Sequence, residues 1–516
     1  MGSAFLLLAA FPLAAADYDL LIRNARVVDG AGNAWFRADV GVKDGKIAAV
    51  GKLNAAATST RTIDARERYL TPGFIDVHTH VESNVERLPQ ASNFILDGVT
   101  SVVTGNCGSS TLTVAQWFEK LDKLGLGLNV ATLIGHNTVR REVMGAANRL
   151  ATPEEISKMQ ALVDRGMREG AVGFSTGLQY VPGTYSNTAE VVALAKSAAA
   201  RGGVYTSHMR DEGEHVLEAI TEAVTVGREA GMPVQLSHFK IDNRRLWGGS
   251  DQSLALVERY RRDGVDVVVD QYPYDRSSTN LGIRLPTWAL ADGKVKERIA
   301  DPATRQKIAD EMVKDLANNG QPDYSFCMVA RFAANQKYEG KNISEINAME
   351  GRAPGVANEI ETIFSIMSQG GAQMIYHEMG DVDVERIMRY PFTAVASDGG
   401  IVDMGVGMPH PRAYGTNARV LAEYVRTRGT LTLEDAVRRM TSLPARTFGF
   451  RDRGLVREGL AADLVLFDLA RVRDRATFAK PHQTSEGFDL VVVNGKVVVE
   501  DGKVTGVRAG KTLRKN

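Results

Sequence analysis

The stretch "PGFIDVHTH" at residues 72–80 places two histidines, His78 and His80, two positions apart at the end of an apolar run. In a β-strand, side chains at i and i+2 lie on the same face, so both imidazoles can reach one point just beyond the strand. Imidazole nitrogen is a common zinc ligand. The spacing therefore indicates one arm of a metal site, and the remaining ligands must come from elsewhere in the chain.

Candidates for those ligands end other short β-branched runs. Cys107 ends "GVTSVVTGNC", His208 ends "GVYTSH", His238 ends "PVQLSH" and Asp398 ends "TAVASD". A single histidine at a strand end is usually a hydrogen-bonded polar residue without a metal. The shared position of all these groups at strand ends favours a common site, because imidazole, thiolate and carboxylate are the usual ligand set of zinc. The second cysteine, Cys327 in "YSFCMVA", is predicted to be a core residue.

The runs that carry these groups alternate with helical stretches, which predicts parallel βα units. The predicted strands are 73–80, 98–107, 128–136, 170–177, 203–208, 233–238, 265–272 and 393–398. Eight such units predict an α/β fold with a closed (β/α)₈ TIM-like barrel, in which the carboxyl ends of the strands form one rim that carries the active site. About 120 residues separate the last two strands. This length predicts an inserted helical segment over the mouth of the barrel, at about 285–390.

Both ends of the chain have a different pattern. Residues 18–70 and the last 55 residues contain short alternating strands that end at Gly or Asp-Gly turns, including a hairpin through Asn494-Gly495. Neither end is long enough for a complete core. We therefore expect residues 17–70 and 440–516 to form one small β-sandwich domain, and residues 71–439 to form the barrel.

Composition excludes several classes of protein. The chain has 62 basic and 62 acidic residues among 516, so no charge excess favours a nucleic-acid partner. Residues 4–16 are apolar and end in three alanines, which is typical of the end of a signal peptide. Residues 1–16 are therefore predicted to be a signal-peptide remnant of an exported, periplasmic or secreted, protein; otherwise the protein is cytoplasmic. No later segment is long enough to span a membrane. The oligomeric state is left open, a homo-oligomer included.

Taken together, the motifs resemble those of the amidohydrolase superfamily, and within it the N-acyl-D-amino-acid deacylase (D-aminoacylase) family. The resemblance covers nearly the whole chain after the leader. The motifs, in order, are "PGFIDVHTH", "GNCG", "GFSTGLQYVPG", "YTSHMRDEG", "QLSHFK", "DQYPY", "ASDG", "HPRAYGT" and "GLVREGLAADLVLFD".

This resemblance implies a role for each ligand candidate. Cys107, His208 and His238 are expected to hold a tightly bound zinc ion. His78 and His80 are expected to form a second, weaker position that shares Cys107, and whether one or two metals are bound stays open. Asp398 is implied as the catalytic acid/base and as a contact of the weaker metal.

The implied reaction is hydrolysis of N-acyl-D-amino acids, small-molecule substrates that yield a carboxylic acid and a D-amino acid. Zinc lowers the pKa of a bound water to about 7 and polarises a carbonyl, and a nearby carboxylate can carry the proton to the leaving nitrogen. Four residues are implied to bind the α-carboxylate of the substrate: Lys240, Arg412, Tyr272 and Tyr180. Arg284 either meets an acidic group of the substrate or is a surface residue. The preference for D-amino acids comes from the resemblance alone, and the side-chain and acyl-chain preferences stay open.

Two other functions compete with this one. The first is a cyclic-amide hydrolase of the dihydropyrimidinase or dihydroorotase kind on the same scaffold. Its relatives usually carry a bridging lysine at the end of the fourth strand, where this chain has "GFSTG". The second is a non-catalytic protein that keeps the barrel and has lost its ligands, which the intact ligand set disfavours.

Overall fold

The computed structural model of the protein describes residues 16–515. Its strands are β1 (Tyr18–Val27), β2 (Phe36–Lys43), β3 (Lys46–Gly51), β4 (Ser59–Asp64), β5 (Tyr69–Pro72), β6 (Phe74–Asp76), β7 (Val99–Thr104), β8 (Asn129–Thr132), β9 (Ile134–Gly135), β10 (Gly173–Gly177), β11 (Val204–His208), β12 (Val234–Leu236), β13 (Val267–Gln271), β14 (Arg276–Asn280), β15 (Cys327–Arg331), β16 (Gln373–His377), β17 (Thr393–Val395), β18 (Leu464–Phe467), β19 (Phe488–Val493), β20 (Lys496–Glu500) and β21 (Lys503–Val504). The predicted signal segment, apart from Ala16, lies outside the described residues.

The α-helices alternate with the barrel strands and also occupy the insertion. They are α1 (Ser92–Ile95), α2 (Val114–Leu124), α3 (His136–Met144), α4 (Pro153–Arg168), α5 (Thr188–Ala199), α6 (Val216–Ala230), α7 (Ser250–Arg262), α8 (Val295–Ala300), α9 (Pro302–Asn318), α10 (Ile343–Met349), α11 (Val356–Ser368), α12 (Asp381–Arg389), α13 (Arg412–Arg419), α14 (Leu433–Met440) and α15 (Ser442–Thr447), and a π-helix follows α13 at Val420–Thr427. Within residues 16–515, no helix is both long enough and apolar enough to cross a membrane.

A ring of eight parallel strands forms the barrel. β6, β7 and β8 form one sheet, and β9, β10, β11, β12, β13 and β17 form another. β8 continues into β9 after one residue, so the two sheets share the third strand. The ring closes where Thr79 pairs in parallel with Gly399 and the amide of Asp398 donates to the carbonyl of His78 at 2.8 Å. Each predicted barrel strand contains an observed one, and the predicted (β/α)₈ fold is confirmed.

Local sequence explains why these elements form. The barrel strands are β-branched and wholly buried, as in "VVVDQ" of β13, because helices cover the outside of the ring. Helix α4 begins at a capping box, in which Thr152 and Glu155 each bind the backbone of the other around Pro153. Glycines end several helices, including α6, where Gly231 has a φ of 71° that a side chain would disfavour.

The insertion between β13 and β17 differs from the predicted helical segment. It contains an antiparallel sheet of order β14-β16-β15 beside helices α8–α11, and its own hydrophobic core extends from Leu281 to Tyr376. Its first strand starts at Arg276, before the predicted boundary at 285. Helix α12 packs instead on the barrel, where Val384 and Ile387 join the main core. The polar sequence "RSSTN" of β14 gives no strand signal, because its pairing comes from β16, nearly one hundred residues later.

Both ends of the chain build one sheet, of order β21-β20-β19-β18-β5-β1-β2-β3, with β4 paired to β1. Alternate residues of β18 pack into two different hydrophobic cores. Leu464 and Leu466 join a cluster shared with β1 and β2, whereas Val465 and Phe467 join the main core of the barrel. The small domain is therefore fixed to the barrel by one face of its sheet.

The C-terminal tail runs beyond this domain to the base of the barrel. Gly510 and Thr512 form bridges with Leu126 and Val130, beside the start of the third barrel strand. The buried Asn129 joins all three parts of the molecule. Its side-chain amide donates to Asp463 of the small domain at 3.2 Å, and its carbonyl accepts from Asn494 at 2.7 Å and from Lys511 of the tail at 3.1 Å.

Candidate active site

The carboxyl ends of the first, second, fifth, sixth and eighth barrel strands bring the predicted ligands together. Cys107 Sγ lies 3.3 Å from His78 Nε2, 3.8 Å from His208 Nδ1 and 3.7 Å from His238 Nε2. All four side chains are buried. Groups that are up to 160 residues apart in sequence thus share one point at the rim, as the strand-end pattern predicts.

These atoms form overlapping donor sets, each within 4.8 Å. The sets are Cys107 with His208 and His238, Cys107 with His78 and His80, and Asp398 with His78 and His238. Sulfur and nitrogen ligands of one tetrahedral zinc ion lie about 3.6 Å apart, from bond lengths of ~2.3 and ~2.05 Å. The Cys107 separations of 3.7 and 3.8 Å match that value. His208 Nδ1 and His238 Nε2 are 2.7 Å apart and must separate to about 3.3 Å to share an ion.

Polar side chains on the far side of two imidazoles, those of His208 and His238, orient the inward nitrogen of each ring toward Cys107. His208 Nε2 donates to Gln179 Oε1 at 2.8 Å, so its Nδ1 faces Cys107. His238 Nδ1 lies 2.8 Å from Lys240 Nζ and 2.9 Å from Glu212 Oε1, and its Nε2 faces Cys107. Such outer partners fix the ring orientation and raise the basicity of metal-binding histidines.

A third outer residue, Asp270 of β13, fixes two ligand-bearing segments at once. Its Oδ1 accepts the backbone amide of His238 at 2.7 Å, and its Oδ2 lies 3.4 Å from His78 Nδ1. Gln179, Glu212 and Asp270 were not predicted as site residues. Their positions inside the motifs "STGLQYVPG", "SHMRDEG" and "DQYPY" were a signal of function, but only the fold reveals which ligand each one contacts.

Two acidic groups of the site, Cys107 and Asp398, are stabilised in their charged forms. Burial alone would raise the pKa of the Cys107 thiol, but His78, His208 and His238 hold it well below its usual range. Burial would likewise raise the pKa of Asp398, but Arg412 and His78 hold it well below normal. Burial works against protonation of His80, yet its hydrogen bonds to Asp398 and Cys107 raise its pKa to about 10. A thiolate and a carboxylate in one buried site favour a bound cation.

Three of the site residues have left-handed backbone conformations that are uncommon outside glycine. The φ angles are 51° at Cys107, 36° at His238 and 49° at Asp398. Such conformations cost of order 1–3 kcal/mol for ordinary residues and cluster at functional sites. Each one occurs just after a barrel strand, where it turns the side chain toward the common point.

Asp398 lies between the donor sets and the basic side of the site. Its Oδ1 is 3.1 Å from His80 Nε2 and 3.5 Å from His78 Nε2. Its Oδ2 is 3.0 Å from Arg412 Nη2. The carboxylate therefore contacts both histidines of the first barrel strand and the Arg412 guanidinium at the same time.

A cavity of about 1130 Å³ opens above these groups, between the barrel rim and the insertion. Tyr180, Arg284 and Arg412 line it, together with Cys107 and Asp398. The insertion contacts the rim on two sides. Tyr185 donates to the carbonyl of Thr287 at 2.6 Å, and the amide of Met408 donates to the carbonyl of Ala330 at 2.7 Å. These contacts make the insertion a fixed roof of the cavity.

Two of the predicted substrate residues lie behind the cavity wall. Lys240 Nζ binds Glu212 Oε2 at 2.5 Å, and Tyr272 packs its ring 4.5 Å from the guanidinium of Arg412. Both are buried. Tyr180, in contrast, lines the cavity. Its ring centre lies 4.5 Å from that of His208, with the two rings tilted by 42°, and its hydroxyl accepts from Thr279 at 3.0 Å.

Comparison with known proteins agrees with this geometry. The chain matches the amidohydrolase family over residues 61–499. It is 36% identical over 520 residues to an N-acyl-D-glutamate deacylase of Alcaligenes xylosoxydans xylosoxydans, covering 96% of this chain and 97% of the relative. A solved D-aminoacylase described with a binuclear metal centre is 34% identical, with a TM-score of 0.83 over 96% of this chain and 100% of the other.

A second solved relative, the N-acyl-D-glutamate deacylase of Bordetella bronchiseptica, holds zinc and a phosphonate inhibitor that mimics the tetrahedral intermediate. It is 33% identical, with a TM-score of 0.82 over 96% of this chain and 99% of the other. The chain belongs to the amidohydrolase family. The resemblance of its motifs to the D-aminoacylase group is confirmed.

Proposed function

We propose that the protein is a zinc-dependent deacylase that hydrolyses the amide bond of N-acyl-D-amino acids and releases a carboxylic acid and a D-amino acid. One observation carries the proposal: the buried Cys107, His208 and His238 donors meet beside Asp398 at the floor of a roofed cavity. Relatives with deacylase activity on D-amino-acid substrates match this chain over almost its whole length.

The donor set fits zinc in its chemistry, and the distances from Cys107 to His208 and His238 fit it in spacing. Cys107, His208 and His238 would hold the tighter ion, and His78, His80 and Cys107 a weaker second one. A zinc ion at this place supplies Lewis-acid polarisation of the amide carbonyl and lowers the pKa of water to about 7.

The side chains of this protein do the rest of the chemistry. Asp398 is ionised at neutral pH, because Arg412 and His78 lower its pKa. It can therefore take a proton from the attacking water and deliver it to the departing nitrogen. Arg412 Nη1 is buried without an acceptor, which suits it to bind the α-carboxylate of the substrate. Lys240 and Tyr272 lie behind the cavity wall next to Arg412, and Tyr180 lines the cavity beside the ligand His208.

The test is a panel of matched N-acetyl-D- and N-acetyl-L-amino acids, assayed with zinc-loaded protein. We expect turnover of the D-forms only. Hydantoin and dihydrouracil belong in the same panel as cyclic amides. Hydrolysis of the cyclic amides without turnover of any linear N-acyl amino acid would show that the protein is a cyclic-amide hydrolase instead. Equal turnover of the L-forms would contradict the proposed preference for D-amino acids.

Export is a separate part of the proposal and is supported by the apolar run at residues 4–16. Expression of the full chain in a bacterial host, followed by fractionation and N-terminal sequencing, tests it. We expect periplasmic protein that begins close to Asp17. Intact cytoplasmic protein would contradict export.

A further inference from the structure

Arg412 is held in the cavity wall by contacts of its side chain and of its backbone. Its Nη2 lies 3.0 Å from Asp398 Oδ2 and donates to the carbonyl of Ser278 at 3.3 Å. Its backbone amide belongs to the first turn of α13, where an N–H has no partner within the helix. That amide donates to Nδ1 of His410 at 3.0 Å. The buried His410 therefore holds the start of the helix that carries Arg412.

The second ring nitrogen of His410 binds the insertion. Its Nε2 lies 2.9 Å from the carbonyl of Arg276 in β14. Because a backbone amide can only donate, Nδ1 must accept from Arg412, and Nε2 carries the hydrogen that is donated to Arg276. Burial and then the charge of Arg412 hold the pKa of His410 well below its usual range, so Nδ1 stays free of a proton at neutral pH.

The strand β14 supports this segment at two points. It is the terminal strand of the insertion sheet, and β16 pairs with it along one edge. Its carbonyls at Arg276 and Ser278 accept from His410 and Arg412. Carbonyls two residues apart point the same way from a strand, so one edge of β14 can bind both side chains. The His410 imidazole thus ties this part of the cavity roof to the helix that begins at Arg412.

Two aromatic rings fix the orientation of the His410 ring. The ring centres of Tyr274 and Phe478 lie 5.2 and 5.0 Å from that of His410, with interplanar angles of 88° and 86°. Edge-to-face contacts of this kind are favourable. Tyr274 follows a barrel strand and Phe478 belongs to the C-terminal part of the chain. The imidazole therefore has a fixed plane in which to hold its two hydrogen bonds.

We propose that His410 is a positioning residue: its two ring nitrogens join the insertion to the first turn of α13, and this link sets the place at which Arg412 receives the α-carboxylate of the substrate. The inference rests on the proposed deacylase function and on the role of Arg412 in it. A substrate without this carboxylate should be much less sensitive to a change at His410.

The test compares N-acetyl-D-methionine with N-acetyl-D-methioninamide, which differ in the charge of the group that Arg412 would bind. In the zinc-loaded protein we expect kcat/KM to favour the acid by about 10–100-fold, the scale of one hydrogen bond between charged groups. His410→Asn keeps an acceptor for the amide two residues later but is too short to reach Arg276. It should lower the preference for the acid by about five- to tenfold, mainly through a higher KM.

His410→Gln has the opposite defect. Its side-chain amide can reach the carbonyl of Arg276, but the backbone amide of Arg412 loses its acceptor. We expect a loss of preference of the same size, because either variant breaks the link between the insertion and α13. Circular dichroism and the zinc content of each variant establish that it is folded and loaded.

His482→Asn is the matched control. His482 also binds through both ring nitrogens, but its partners are the hydroxyl of Tyr414 at 2.9 Å and the carbonyl of Gly407 at 3.0 Å. Its replacement should leave the preference for the acid within about twofold. A double variant adds a second measure. In an Arg412→Met background, His410→Asn should lower the preference little further, because a positioning residue acts through the residue that it positions.

Each outcome decides something. An equal loss of kcat/KM on both substrates in folded His410→Asn and His410→Gln would show that His410 is structural only and would overturn the inference. A full further loss in the Arg412→Met background would also overturn it. If the unmodified protein hydrolyses N-acetyl-D-methionine but does not prefer it to the amide, the inference fails and the deacylase function stands. No turnover of any N-acyl-D-amino acid would reject the deacylase function itself.

Discussion

His80 Nε2 lies 3.1 Å from Asp398 Oδ1, across the seam where the first and eighth strands close the barrel. The two residues are 318 positions apart in sequence. Their contact joins the first motif of the chain to Asp398, the group proposed for proton transfer. Because the backbone amide of Asp398 also binds the carbonyl of His78, the seam that closes the fold is the one that completes the site.

Replacement of Asp398 by asparagine tests the proton-transfer role. Asparagine keeps the size of the side chain but cannot accept the proton, so we expect kcat/KM to fall by about 10²–10⁴-fold. Zinc bound by Cys107, His208 and His238 should stay, because Asp398 is not a member of that set. Steady-state kinetics and metal analysis of the same preparation check both parts. Unchanged activity in the variant would remove Asp398 from the reaction.

The two cysteines provide a matched pair of variants. Cys107→Ser removes the donor shared by both proposed metal positions, and we expect zinc affinity to fall by more than the ~10–100-fold typical of lost supporting hydrogen bonds. Cys327→Ser serves as the control, since Cys327 lies in the core of the insertion. It should retain zinc and activity, with some loss of stability. Competition titration with a chromogenic chelator measures the affinity, and equal affinities in the two variants would contradict the assignment.

Arg412 should set the acid limb of the pH profile. Asp398 has a lowered pKa, so it stays ionised at neutral pH and loses its charge only as the pH falls through that low value. Arg412 is the leading cause of the lowering, against the opposing effect of burial. Arg412→Met should therefore raise this pKa and move the acid limb of kcat to higher pH. The measurement is kcat at saturating substrate across pH 4–9, and a pure KM effect with an unmoved profile would leave Arg412 as a binding residue only.

Asn129 should contribute to stability out of proportion to its size. Its amide links the barrel, the small domain and the tail, so Asn129→Ala leaves buried polar groups without a partner. We expect a loss of about 1–3 kcal/mol. Asn33, which is exposed, is the control; its replacement by alanine should change the stability by less than about 0.5 kcal/mol. Chemical denaturation followed by fluorescence compares the two.

The sequence allowed the barrel and the clustering of its candidate ligands to be predicted, because both follow from local patterns. A strand period of two places His78 and His80 together, and the shared ends of parallel strands collect Cys107, His208 and His238 at one rim. The outer residues were not accessible in this way. Glu212 and Asp270 act through contacts between neighbouring strands and loops, and no local pattern states which imidazole a given carboxylate will meet. The strands of the insertion were missed for a similar reason, because β14 is polar and depends on β16.

The sheet that the two chain ends share has a consequence for folding during translation. β5 ends at Pro72 and pairs with β18, which begins at Leu464, 392 residues later. At a translation rate of about 5–20 residues per second, the first half of the sheet waits ~20–80 s for the second. Throughout that interval an apolar strand edge stays open to any other nascent chain, which is the kind of surface that chaperones cover.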